Sequence, residues 1–131
     1  MSESRRAGNE RGTSTLEFAV VLPFLLLVLV ATVEFSRAWL TLNLVTTAAR
    51  EGARAGTVAA PSQVQTAASQ RIDQILGAGN WTGTVTCNPS PCAPDSEVQV
   101  NVSVTFQTLV PAFLPGLQAL SLQQTASMRY E

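Results

Sequence analysis

Few side chains in this 131-residue sequence belong to the types that carry out enzyme chemistry. Histidine is absent, which removes the commonest general base and metal ligand, and all the basic residues are arginine. Carboxylates, hydroxyls, Tyr130 and two cysteines remain, and they form no recognisable catalytic pattern. The composition therefore predicts a protein that is not an enzyme and that uses no cofactor and no metal.

The two cysteines, Cys87 and Cys92, enclose four residues, two of which are prolines. A thioredoxin-type redox motif has two intervening residues, and a metal site needs ligands beyond two thiols. A turn closed by a structural disulfide suits this spacing, with a stabilisation of roughly 2 kcal/mol from loop closure. Because disulfides persist outside the cytosol, we expect this part of the chain to face the periplasm or the exterior.

The remaining chemical feature is an acid, Glu17, at the start of an almost unbroken apolar run from Phe18 to Val33. A carboxylate costs roughly 2.5–3.5 kcal/mol at the centre of a membrane helix and less near its end, so such residues are usually functional. A helix extended from Thr13 to Glu34 is about 33 Å long, enough to cross a hydrocarbon core of about 30 Å. The sequence therefore predicts a transmembrane helix at 13–35 inserted in a lipid bilayer.

A short polar segment, residues 1–12, precedes this helix and carries three arginines. Two arginines follow the helix closely, so the basic residues slightly favour a cytoplasmic N-terminus. A secretory signal cleaved near Ala31 lacks the usual small-residue pattern, and a twin-arginine signal lacks the apolar residues after its arginine pair. An unprocessed single-pass protein with an outer ligand- or envelope-binding domain stays open as an alternative.

The helical pattern continues beyond the apolar run. The spacing predicts one helix over 13–55, amphipathic in its outer half, with an apolar stripe formed by Phe35, Trp39, Leu42, Val45, Ala49 and Ala53. A second helix is predicted to begin at a capping box of Ser62 and Gln65 and to end at Gly77. Its apolar face consists of Val64, Ala68, Ile72 and Ile75 or Leu76.

Alternating apolar and polar residues predict strands over 97–106 and 120–130, and a shorter strand is expected over 82–87. Phe113, Leu114 and Leu117 are expected to pack beneath the loop between the last two strands. The predicted fold is α+β, with a long N-terminal helix, a second helix and a small three-stranded antiparallel sheet that packs on both helices. This outer domain occupies residues 36–131.

The sequence contains four distinctive blocks, Arg11–Phe18, Val33–Ala38, Ala48–Arg54 and Gln124–Tyr130, together with the Leu22–Leu25 apolar run. These blocks resemble the TadE-like family of tight-adherence (Flp-type) pilus assembly. The first block also resembles a type IV prepilin signal. In that resemblance the bond between Gly12 and Thr13 is cut, which makes Thr13 the first residue of the mature chain and Glu17 the fifth.

The resemblance implies a pilin-like minor pseudopilin that a prepilin peptidase processes and that acts in pilus biogenesis and surface adhesion. Its partners would be other pseudopilins and pilus assembly platform proteins, and the nearly balanced charge argues against nucleic acid. Glu17 would meet the N-terminal amine of a neighbouring subunit. Glu34 and Arg37 also match the family pattern and would either pair on the helix surface or contact another subunit. The implied location is the cytoplasmic membrane, with the C-terminal domain outside.

Overall fold

The computed structural model describes the backbone of residues 7–109, 116 and 119–130, and the side chains in these ranges from residue 14 onward. The elements are α1 (Ala7–Thr57), α2 (Val64–Leu76), β1 (Thr82–Asn88), β2 (Glu97–Gln107) and β3 (Ala119–Arg129). A long N-terminal helix, a second helix and a three-stranded antiparallel sheet confirm the predicted α+β arrangement. The expected packing of Phe113, Leu114 and Leu117 lies outside the described residues.

The chain forms two compact units, one that ends at Ser36 and one that begins at Arg37. The second unit, which we call the outer unit, contains one hydrophobic core shared by helices and sheet. Its main members are Val45, Ala48, Ala49 and Ala53 of α1, Val64, Ala68 and Ile72 of α2, and Val85, Val98, Val100 and Val102 of the sheet. Apolar side chains of both helices thus cover one face of the sheet, which stabilises a two-layer domain.

The sheet has the order β1-β2-β3, with antiparallel pairing between neighbours. Val98, Val100 and Val102 of β2 are fully buried, while the intervening Gln99 and Asn101 lie on the opposite face. The period-2 pattern therefore located the central strand correctly, because each inward valine removes apolar surface from water. The observed strand bounds differ from the predicted ones by a single residue.

The predicted apolar stripe of α1 is wrong at its beginning. Phe35 and Trp39 are 70% and 59% exposed, whereas Val45, Ala49 and Ala53 are fully or almost fully buried. Helical spacing identifies the angular position of a side chain but not how far along the helix other elements cover it. Within the outer unit, the buried face of α1 is formed from Val45 onward.

The capping box predicted for α2 is also wrong. The helix is capped by Gln63 without a side-chain hydrogen bond. The Gln65 side chain instead donates from Nε2 to the carbonyl oxygen of Val85 in β1, at 3.2 Å. The predicted end of the helix is confirmed, since Gly77 has a φ of 84° and its N–H donates to the Asp73 carbonyl.

Helices α1 and α2 approach each other closely at a glycine. A Cβ atom on Gly52 would lie 2.8 Å from Cγ1 of Ile72, a fully buried side chain of α2. Such a distance is too short for two carbon atoms, so the helices could not pack this closely around a larger residue. Gly52 therefore allows the α1–α2 contact within the outer unit.

The C-terminal tyrosine joins the end of the sheet to the connection between the helices. Tyr130 is buried, its hydroxyl donates to the Ala59 carbonyl at 2.6 Å, and its backbone N–H donates to the Ser96 carbonyl at 2.8 Å. Residues 71 positions apart in sequence are thereby held together. A buried hydroxyl with a partner contributes to stability without the cost of an unsatisfied polar group.

We expect Tyr130→Phe to lower the free energy of unfolding by about 1–2 kcal/mol, because the Ala59 carbonyl loses its donor while the ring still packs. Urea unfolding of the full-length protein in mild detergent, followed by tryptophan fluorescence, measures this change. Tyr130→Ala is the companion variant and should cost about 3–5 kcal/mol, since it also removes the ring. An unchanged stability in Tyr130→Phe would show that the hydrogen bond is not important.

Candidate assembly site on the N-terminal helix

The residues predicted for processing lie within α1, which begins at Ala7. The backbone at Gly12 and Thr13 is helical, and the side chain of Thr13 is outside the described part of the chain. A peptidase needs an accessible and extended segment of backbone at the bond it cuts, so this end of the helix would have to open locally. Cleavage between Gly12 and Thr13 stays a prediction.

Glu17 lies on α1 among apolar side chains that are exposed in this structure of the single chain. Leu16 and Phe18, its neighbours in sequence, are both well exposed, and so is the Glu17 side chain. No basic residue occurs between positions 14 and 36, so this stretch of helix supplies no cation for the carboxylate. A carboxylate in a low-dielectric environment is stable only near a positive charge or after protonation. The helix thus presents an acid that needs a partner from elsewhere.

The surroundings of Glu17 have the character of a membrane segment. In the part of the chain that the structure describes, the helix Ser14–Thr57 is the one that is long and apolar enough to cross a bilayer, with a mean hydropathy of 2.6 over its most apolar window. None of that window is buried within the protein. Pro23 lies inside the helix, which continues on both sides of it. Membrane helices tolerate proline, so this residue is compatible with a span.

Glu34 and Arg37 have different environments. Glu34 is only 8% exposed. Arg37 is half-buried, and within the outer unit its guanidinium carbon lies 5.2 Å from the centre of the Phe106 ring. This distance is typical of a cation–π interaction, worth about 0.5–1 kcal/mol at an exposed site. Sequence spacing gave no signal for this contact between α1 and β2, and a direct Glu34–Arg37 pair stays a prediction.

Cys87 and Cys92 form a disulfide, with their Cα atoms 5.2 Å apart. Cys87 lies near the end of β1 opposite Val98, so the bond closes the turn by which the chain leaves β1. Both cysteines are half-buried and pack against the core of the outer unit. Among the described residues there is no group of three or more histidine, cysteine or acidic side chains that could hold a metal ion. The cysteine pair therefore acts as a covalent link in the hairpin.

Comparison with known protein families gives a match over part of α1. The family model described as TadE-like protein matches residues 12–54, about a third of the chain, and this segment includes Glu17, Glu34, Arg37 and Gly52. Searches of the curated proteins and of the solved structures each found no significant match. The matched segment links the protein to tight-adherence (Flp) pilus assembly. Over residues 12–54, most of its N-terminal helix, this chain is thus similar to the TadE-like proteins.

Proposed function

We propose that this protein is a minor pseudopilin of a tight-adherence pilus, anchored in the cytoplasmic membrane by the first half of α1. Its leader, residues 1–12, is cytoplasmic and is removed by a prepilin peptidase. The domain at 36–131 lies outside the membrane and takes part in pilus biogenesis and surface adhesion. Its role is structural and not enzymatic, and its partners are other pseudopilins and the assembly platform.

The observation that carries this proposal is the TadE-like match over an exposed, apolar helix that holds a single acid near its beginning. After cleavage at Gly12, the α-amino group of Thr13 would be a new cation four residues before Glu17. In a bundle of such helices, the amine of one chain can neutralise the carboxylate of its neighbour. That pairing offsets the cost of placing each charge in lipid and sets the axial register between subunits.

The outer unit supports a structural role. Its two-layer core and its disulfide are typical of a small domain that must stay folded in an oxidising compartment. The composition offers no pair of nucleophile and base, since histidine and lysine are both absent from the sequence. The composition therefore favours positioning and contact over chemistry as the function of this domain.

The test of this proposal is the N-terminal sequence and intact mass of the protein extracted from membranes of its native host. An N-terminus at Thr13 would support prepilin-type processing. An N-terminus at Met1 in cells with an active prepilin peptidase would contradict it. That result would favour the second candidate, an unprocessed single-pass protein whose outer domain binds an extracytoplasmic or envelope ligand.

We expect Glu17→Val to lower incorporation into pili by about tenfold, which corresponds to about 1.4 kcal/mol per subunit, because the amine of the neighbouring subunit loses its carboxylate. Insertion into the membrane should be unchanged or improved, since valine is apolar. Quantitative immunoblots of sheared pilus and membrane fractions measure both quantities.

The matched control for this variant is Leu16→Val, a change to the same residue at the neighbouring exposed position. It alters the apolar surface but leaves the carboxylate in place, so pilus incorporation should stay close to that of the wild type. Normal incorporation of Glu17→Val would remove Glu17 from the assembly mechanism.

A further inference from the structure

A second apolar surface lies on α1 beyond the unit that ends at Ser36. Trp39, Leu40 and Leu44 belong to the outer unit, and they are 59%, 61% and 42% exposed. We call these three residues the Trp39 patch. They precede Val45, the first buried residue of α1 in the outer unit. The outer unit therefore has large apolar side chains on its surface directly before the helix enters its core.

The charge pattern around the patch is unusual for a helix that faces water. No charged residue occurs from position 38 to position 49, although this segment includes several exposed positions. A helix on the surface of a soluble domain normally carries charged or polar residues along its outer face. Here Arg50 and Arg54 are the first charged residues on the exposed side of the outer unit's helix. The change from apolar to charged residues indicates a change of solvent along α1.

The length of the helix between Glu17 and the patch matches the thickness of a bilayer. At about 1.5 Å per residue, a helix that begins at Glu17 is about 33 Å long when it reaches Trp39 and about 40 Å long when it reaches Leu44. The hydrocarbon core is about 30 Å thick, and the headgroup layers increase the total to about 40–45 Å. If Glu17 marks one boundary of the hydrocarbon, the patch falls within the headgroup layer on the other side.

The residue types also suit that layer. Tryptophan is enriched at the membrane–water interface, because its ring is apolar and its indole N–H can donate to lipid carbonyl and headgroup oxygens. Leu40 and Leu44 can extend towards the acyl chains below. A second protein chain could also cover apolar residues, but the patch belongs to the same helix that is long and apolar enough to cross a bilayer. That continuity favours lipid as the occupant.

We propose that the Trp39 patch is immersed in the headgroup layer of a phospholipid bilayer. This inference rests on the proposed membrane anchoring of the first half of α1. It extends the membrane-contacting part of the chain from the predicted limit at residue 35 to Leu44. It also gives Trp39 a role that the processing and assembly residues do not cover.

The test measures the depth of Trp39 in vesicles. The chain contains two tryptophans, so Trp81→Phe in the full-length protein leaves Trp39 as the single tryptophan, which is excited selectively at wavelengths that tyrosine does not absorb. The variant is reconstituted at low protein density in vesicles of phosphatidylcholine and phosphatidylglycerol. Some vesicles contain lipids brominated near the headgroup, and others contain lipids brominated near the end of the acyl chain. Flotation with the vesicles reports membrane anchoring separately, and circular dichroism reports folding.

We expect the emission of Trp39 to be blue-shifted, strongly quenched by the shallow bromines, and only weakly quenched by the deep bromines or by aqueous iodide. The matched control is Trp39→Phe, which retains Trp81. The indole of Trp81 donates to Asp73 at 2.7 Å within the outer unit, so neither brominated lipid should quench it. This control shows whether the lipid bromines act on the outer unit in general.

Three results would overturn the inference. In the first, the protein floats with the vesicles but only aqueous iodide quenches Trp39. The patch then lies in water, while the proposed membrane anchoring stands. In the second, neither iodide nor the lipid bromines quench Trp39, and this protection disappears when the protein is diluted with more lipid. A second copy of the chain then covers the patch. A protein that does not float removes both the inference and the membrane anchoring on which it rests.

Discussion

Gly12→Leu is expected to leave the protein in the membrane as an uncut precursor that retains residues 1–12. Prepilin-type processing places a glycine directly before the bond that is cut, and a leucine side chain there would obstruct the approach of the peptidase to the backbone. The apolar run from Phe18 to Val33 is unchanged by this substitution, so membrane insertion should proceed as in the wild type. Mass spectrometry of the membrane-extracted protein distinguishes the precursor from the mature chain.

The leader offers a matched control in Gly8, a second glycine four residues before Gly12. Gly8→Leu adds the same side chain to the same segment but leaves the bond at Gly12–Thr13 unaltered. We expect this variant to be processed normally. A Gly12→Leu protein that still yields an N-terminus at Thr13 would contradict the assignment of the cleavage site. A block in both variants would indicate that the leader as a whole is recognised.

Gly83→Val is expected to destabilise the outer unit by about 3 kcal/mol, which is a large part of the stability of a small domain. Gly83 lies in β1 opposite Val102, and a Cβ atom there would overlap the backbone carbonyl oxygen of Asn101 in β2. A carbonyl in a paired strand cannot turn away as a flexible side chain can, so the two strands would have to separate. Urea unfolding of the full-length protein in detergent, followed by Trp81 fluorescence, measures the loss.

Thr84→Ala is the matched control for this variant, because Thr84 is the next residue of β1 and its side chain is exposed on the other face of the sheet. Its effect should stay within about 0.5 kcal/mol, as is usual for surface substitutions. Equal stabilities for Gly83→Val and the wild type would mean that the strands can accommodate a side chain at this position. They would also show that the close approach to Asn101 is not required for folding.

Much of the fold could be predicted from the sequence because local patterns dictate it. The alternation from Val98 to Phe106 determines which face of β2 is buried, and Gly77 ends α2 because its left-handed conformation suits glycine. The apolar run after Glu17 likewise identifies the candidate membrane span without any knowledge of tertiary contacts. The resemblance over the first helix was visible for the same reason, since its signals lie within a continuous stretch of chain.

The site was less accessible to sequence reasoning where it depends on distant parts of the chain. Gln65 has the spacing of a capping residue but reaches Val85 in the sheet instead. The guanidinium of Arg37 lies over the ring of Phe106, a contact for which the sequence spacing gave no signal, and its predicted pairing with Glu34 stays a prediction. In both cases a long polar side chain contacts a distant strand, and only the packing of the sheet against α1 and α2 brings that strand within reach.

The sequence by itself determined the types and order of the elements, the membrane-length helix with its acid at Glu17, and the disulfide turn, because each depends on neighbouring residues. Tertiary structure alone decided where burial begins on α1, so that Val45 enters the core while Trp39 remains on the surface. It also decided that Tyr130 joins Ala59 and that Gly52 and Gly83 allow close contacts. The physical reason is that helical and strand periodicity fix the direction of a side chain, whereas burial depends on which distant element lies opposite it.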